Sequence, residues 1–215
     1  MNRRKFIYNS SIASLSVVGL NSCNILDKNV KISILHTNDV HSQIEPFPFN
    51  HNIYPDRGGF AKRANIFKGL MKLNPNTLIF DAGDIFQGTP YFNFFQGELE
   101  LNLMKKMGYN AATIGNHEFD AGLDILKRNI LNNDFQFISS NYDFTNTALE
   151  GLVSRYKVYK KQNIKIGVFG LGIELNGLVN SSLYKETKYH DPIEISNEMT
   201  HKLKTEEKCD LIICI

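Results

Sequence analysis

The sequence predicts a layered α/β domain with at least one largely parallel sheet. Apolar, β-rich runs alternate with helical repeats along most of the chain. Three of the strand-like runs end in clusters of polar side chains, at Asn38–His41, Asp81–Asp84 and Asn116–Asp120. With 215 residues, 42% of them hydrophobic, the chain can bury one substantial core, given a usual domain size of ~100–200 residues.

Lys31 to His36 is β-rich and apolar at alternate positions, which predicts the first strand. Pro46, Pro48, Pro55 and Gly58-Gly59 break the loop that follows. Phe60, Ala64, Phe67 and Met71 share one face of a helix over 60–71. Thr77 to Phe80 is the second strand and runs into Asp81-Ala82-Gly83-Asp84. Leu99, Leu103 and Met107 recur every fourth residue and predict a helix from Glu98 to Met107. Acids open it, Lys105-Lys106 close it and Gly108 stops it, as the helix dipole and capping favour. Tyr109 to Ile114 is the third strand, Gly122 to Leu131 a helix stopped by Asn132-Asn133, and Phe135 to Ser139 a fourth strand. Leu152 to Tyr159 and Lys165 to Leu171 read as an antiparallel pair. Asp191 caps the next helix, with Pro192 in its first turn, Glu194 reaching back, and Ile195, Met199 and Leu203 along it. Leu211 to Ile215 is a final strand, and a domain ending in a bare apolar strand looks incomplete at its C-terminus.

Residues 1–23 read as an export signal. Asn2-Arg3-Arg4-Lys5 is basic, and Ile12 to Leu20 is apolar but too short to span a bilayer. Leu20-Asn21-Ser22-Cys23 resembles a lipoprotein box, which makes Cys23 the lipid acceptor. Arg3-Arg4-Lys5-Phe6-Ile7 also resembles a twin-arginine signal; the competing reading is a buried N-terminal helix. The expected organisation is a signal over 1–23, a linker over 24–30 and one domain over 31–215, on an exported, membrane-anchored lipoprotein of the bacterial periplasm or cell surface. Net charge is +2, with no basic stripe to bind a nucleic acid polymer. Cys209 and Cys214 would lie ~16 Å apart in a strand at ~3.3 Å per residue, beyond the ~7 Å a disulfide allows. They read as small core residues.

The three polar clusters carry the chemistry. Asp39 and His41, two apart in an extended segment, would point the same way and could grip one divalent ion. The plainer reading is a surface turn with an incidental histidine. Asp84 stands just past a strand end, where one carboxylate can bridge two cations, and Gly83 and Gly88 let the backbone turn sharply and approach a ligand. Its plainer reading is a turn cap. Asn116 offers a neutral oxygen donor. His117 could donate a proton or a hydrogen bond to a phosphate, and Asp120 could orient that imidazole. Here the alternative is an N-cap asparagine before a solvated turn. Oxygen donors mixed with imidazole suit Mn, Zn, Fe or Mg, and two such ions ~3.5–4 Å apart can clamp a phosphoryl group.

The runs Leu35 to Ser42, Gly83 to Pro90 and Met107 to Gly122 resemble the calcineurin-like metallophosphoesterase superfamily, in its 5'-nucleotidase and UDP-sugar hydrolase branch. The resemblance implies a metallophosphoesterase-type β-sandwich flanked by helices. It implies two divalent metal ions, with Asp39 and His41 on the first, Asp84 bridging and Asn116 on the second. His117 would stabilise the transition state or protonate the leaving group, held by Asp120, while a metal-bound hydroxide attacks phosphorus. The implied substrate is a small phosphate ester, a nucleotide above all. The family's later histidine ligands and its C-terminal nucleotide-recognition domain have no match here, so a missing or separate C-terminal partner is expected. Rival readings are a non-catalytic surface lipoprotein that keeps the fold, and a phosphodiesterase or thiosulfohydrolase.

Overall fold

The computed structural model describes residues 29–215, so the predicted signal, Cys23 and most of the 24–30 linker lie outside the described residues. β1 (Ser33–Thr37), β2 (Thr77–Asp81) and β3 (Ala111–Ala112) form a parallel sheet in that order. α1 (Phe60–Leu73) connects the first pair, and α2 (Pro90–Phe95) and α3 (Glu98–Met107) the second. All five residues of β2 are buried, as the central strand of a sheet covered on both faces requires. Its side chains alternate between two cores. Leu78 and Phe80 meet Ile166 and Val168 of a second sheet, while Ile79 joins Phe67, Leu101 and Met104 beneath the helices.

After α4 (Leu123–Asn133), β4 (Tyr142–Asp143) forms a small antiparallel pair with β7 (Lys188–Tyr189). The second sheet has the order β5 (Tyr156–Lys161), β6 (Ile164–Phe169), β8 (Leu211–Cys214). β6 runs antiparallel to β5 and parallel to β8. α5 (Ser181–Tyr184) is a single turn. α6 (Pro192–Thr205) is capped by Asp191, whose carboxylate accepts from Ile193 and Glu194 N–H, and it lays Met199 and Leu203 against Phe169 on the outer face. Helices, sheet, sheet, helix is the predicted layered sandwich.

Several local expectations need correction. In α3 the buried side is Glu100, Leu101, Met104 and Met107, with Leu99 and Leu103 only half-buried. Leu101, Met104 and Met107 turn this side inward, and buried Ser42 donates to Glu100 Oε1 at 2.5 Å, a tertiary partner that the apolar spacing does not reveal. α4 continues through Asn132-Asn133, since Asn133 is buried and its amide donates to Asn129 O at 2.9 Å; Asp134, in the left-handed region, ends it. The third strand shrinks to two residues, and 135–139 pairs only through isolated bridges, Ala112 with Phe137 and Ile138 with Ser154. Cys209 and Cys214 are both free, but Cys214 is exposed rather than a core residue because β8 is half-covered.

Candidate active site

Register builds the site. Thr37 pairs with Asp81, and Asp81 with Ala112, so the chain leaves three adjacent strands level with one another, at one rim. The ladder continues into the loops: Asp39 N–H donates to Gly83 O at 3.0 Å, His41 to Asp84 O at 3.1 Å and Ser42 to Ile85 O at 2.8 Å. These loops are not extended. Asp39, His41, Ser42 and Asp84 sit at φ of 49°, 42°, 54° and 57°, in the left-handed region that non-glycine residues enter at a cost. Side-chain alternation therefore does not place Asp39 beside His41, as the sequence suggested. A left-handed turn does, and His41 Nε2 lies 3.8 Å from Asp39 Oδ1. Gly88, at φ 105°, closely approaches the backbone of His41; a Cβ there would sit 2.7 Å from His41 O.

His41, Asp84 and His117 each present one donor atom within 4.8 Å of the others. The two imidazole rings meet edge to face, with centroids 4.9 Å apart. His117 Nδ1 hydrogen-bonds Asp120 Oδ2 at 2.7 Å, which leaves Nε2 as the ring nitrogen free for the cluster. Asn116 occupies the N-cap position of a 3-10 turn over His117–Phe119, yet its side chain makes no capping bond there. The backbone N–H of His117 donates to Asp84 Oδ1 at 3.1 Å and ties the second loop to the third. Asp39 is the most open of the predicted residues, with its side chain 58% exposed.

Charge at the rim is predominantly negative. Burial pushes the His117 imidazole down. The hydrogen bond to Asp120 and the charges of Asp120, Asp84 and Glu118 outweigh that, and the ring ends above its ordinary value. Two fully enclosed carboxylates, unassigned by the sequence reading, lie behind the cluster. Glu118 is pushed up to about 7 by burial and by the Asp84 charge. Asp81 is also pushed up to about 7, by burial, against the pull of its bond from Thr37. Glu118 accepts N–H bonds from Asp84 (3.0 Å), Ile85 (2.7 Å), Phe86 (3.4 Å) and Gly115 (2.6 Å). Asp81 accepts from Thr37 Oγ1 at 2.5 Å and from Gly83 N–H at 3.0 Å. Thr37 in turn meets the Tyr109 hydroxyl at 2.6 Å, to which Arg63 donates at 3.3 Å. Both acids stand inside the quoted motifs, so their positions were legible; only the fold shows that they face inward, onto backbone amides.

The donor set fits divalent metal. Oxygen and imidazole donors no more than 4.8 Å apart match ligands sharing one ion, or a close pair, at ~2.0–2.2 Å each. A cavity of about 540 Å³ adjoins Asp39 and His41, walled by Phe47, Gly58-Gly59 and Arg63. Another, of about 530 Å³ between Tyr142, Arg155, His190 and Glu198, contains none of the predicted site residues.

A family model described as calcineurin-like phosphoesterase matches residues 32–214. The snake venom 5'-nucleotidase of Gloydius brevicauda is 33% identical over 183 residues, covering 81% of this chain and 31% of its own length. Among solved structures, the 5'-nucleotidase precursor of Thermus thermophilus superposes with a TM-score of 0.77 at 29% identity, over 85% of this chain and 36% of that one. The NAD nucleotidase of Haemophilus influenzae superposes with a TM-score of 0.73 at 31% identity, over 86% and 34%. The chain thus spans about a third of the length of the relatives it matches.

Proposed function

The chain belongs to the calcineurin-like phosphoesterase family, and from that premise we propose that it serves as the metal-binding domain of an exported 5'-nucleotidase-like phosphohydrolase. The observation that carries this is the convergence of His41, Asp84 and His117 at one rim of a parallel sheet, with Asn116 and Asp39 beside them. Asp39 and His41 would hold one divalent ion, Asp84 would bridge two, and Asn116 would hold the second. Such ions supply Lewis acidity toward phosphoryl oxygens and make hydroxide available at neutral pH.

The chain's own groups do the rest. His117 Nε2 faces the donors and carries a proton to the departing oxygen, or a hydrogen bond to the phosphoryl group. Asp120, at 2.7 Å from Nδ1, fixes the tautomer that allows this and favours the charged ring. The edge-to-face packing of His41 restrains the His117 ring from the other side. Relatives whose names state nucleotidase activity support a nucleotide ester as substrate. Export rests on the basic, apolar and cysteine-terminated start of the chain, with Cys23 as the lipid acceptor and the domain beginning near residue 31.

The test is hydrolysis by the full-length protein, stripped with chelator and reloaded in turn with Mn, Zn, Fe(II) or Mg, read as phosphate from AMP, p-nitrophenol from bis-p-nitrophenyl phosphate and sulfate from thiosulfate. AMP should be cleaved only after reloading, and faster than bis-p-nitrophenyl phosphate or thiosulfate. Faster cleavage of the diester or of thiosulfate would reassign the substrate. Divalent binding without hydrolysis of any of them would favour the non-catalytic lipoprotein.

A further inference from the structure

Among the fully buried polar side chains, Glu118 has four backbone donors and no place in the chemistry described above. We propose that Glu118 is the positioning residue of the donor cluster: its sealed carboxylate gathers the backbone N–H groups of two loops and so sets where the Asp84 carboxylate stands relative to Asn116 and His117. The inference rests on the metal reading given above.

The geometry is specific. Oε1 accepts from Ile85 and Phe86 at 2.7 and 3.4 Å, and Oε2 accepts from Asp84 at 3.0 Å and Gly115 at 2.6 Å. One oxygen therefore grips the loop after β2 alone, while the other clamps that loop to the loop after β3. Asp81 Oδ1 takes the neighbouring Gly83 N–H at 3.0 Å, so four consecutive amides, 83 to 86, converge on two inward carboxylates. Backbone amides curled around an anion hold a loop in a fixed shape. Here the shape includes Asp84 at φ 57°, in the left-handed region that a non-glycine residue enters at a cost. The loops also interlock sterically: a Cβ on Gly115 would fall 2.3 Å from Asp84 Oδ1. A carboxylate is needed because an amide in its place would turn a donor toward two of the amides it must accept from. Glu118 is wholly enclosed, so it acts through Asp84 and not on the substrate.

The experiment compares the full-length wild type with Glu118→Gln and, as a stability control, Leu203→Ala, whose site lies on the outer face of the second sheet. Mn²⁺ binding is followed by calorimetry, and the spin coupling of a manganese pair by electron paramagnetic resonance. Glu118→Gln should weaken binding of the second Mn²⁺ by about 10–100-fold and abolish the coupled signal, while Leu203→Ala loses melting temperature but keeps both. If Glu118→Gln binds two coupled ions as the wild type does, the inference is overturned and the metal reading stands. A wild type that binds no Mn²⁺ overturns both. Hydrogen exchange on the wild type alone gives a second readout that needs no folded variant. The amides of Asp84, Ile85 and Gly115 should be protected like those of β2 with or without metal, and fast exchange there sinks the cradle.

Discussion

Two residues of the Asn116–Asp120 run turn out to do different work from neighbouring positions: His117 faces the donors, and Glu118 faces the protein. His117→Asn should lower turnover by about 10²–10⁴-fold, the span of a lost general acid, while changing Mn²⁺ affinity far less. Equal loss in calorimetry and in phosphate release would make His117 a metal ligand, a role its place within 4.8 Å of His41 and Asp84 also permits. Asp84→Ala should abolish metal-dependent hydrolysis, because Asp84 both donates to the cluster and receives His117 N–H; an unchanged rate removes it from the bridging position. Asp81 carries a pH prediction. Its carboxyl stays protonated up to about 7 in the fold and ordinarily titrates near 3.8, so folding takes up a proton between those values. Stability from this group is full below about 4 and falls as pH rises toward 7. The melting temperature of the metal-free protein should decline across that window, and Asp81→Asn should flatten the decline.

At the scale of elements, strand ends and loop ladders matter more than helices. The three strands end level, so the polar loops meet; a register slip of one residue would invert β2 and carry Asp81 out of its cradle. Gly115 is the tightest joint between loops. Gly115→Ala would push the Asp84 carboxylate aside, since the new methyl would fall 2.3 Å from Asp84 Oδ1. Mn²⁺ affinity should drop tenfold or more with circular dichroism unchanged, and wild-type affinity in calorimetry would show that the joint yields. Helix existence was readable from spacing and caps, as with Asp191 before α6. The buried face of α3 was not, because it includes Glu100, whose partner Ser42 lies 58 positions away.

At the scale of the molecule, two sheets share one core and each carries helices on its outer face, with the three polar loops at one rim. Leu203 is fully buried under the second sheet and distant in function from the donors. Leu203→Ala should cost about 2–5 kcal/mol and lower the melting temperature by about 2–4 °C per kcal/mol, with metal affinity intact. If export proceeds as proposed, the protein extracted from its host's membranes should have lost residues 1–22 and gained a lipid mass on Cys23, both visible by intact mass spectrometry. The order of the longer strands and helices, the three polar loops at strand ends and their oxygen- and imidazole-bearing residue types were legible in the sequence, because periodicity and local spacing report on neighbours along the chain; the short helices α2 and α5 and the β4–β7 pair were not. Which side chains in those loops converge, the left-handed turns that bring Asp39 to His41, and the inward carboxylates of Asp81 and Glu118 were decided only by tertiary structure. Even the turn at Asp39 and His41 is held by bonds to Gly83 and Asp84, and Glu118 reaches amides more than thirty positions away; burial, which pushes a carboxylate's pKa up, exists only once the layers have packed.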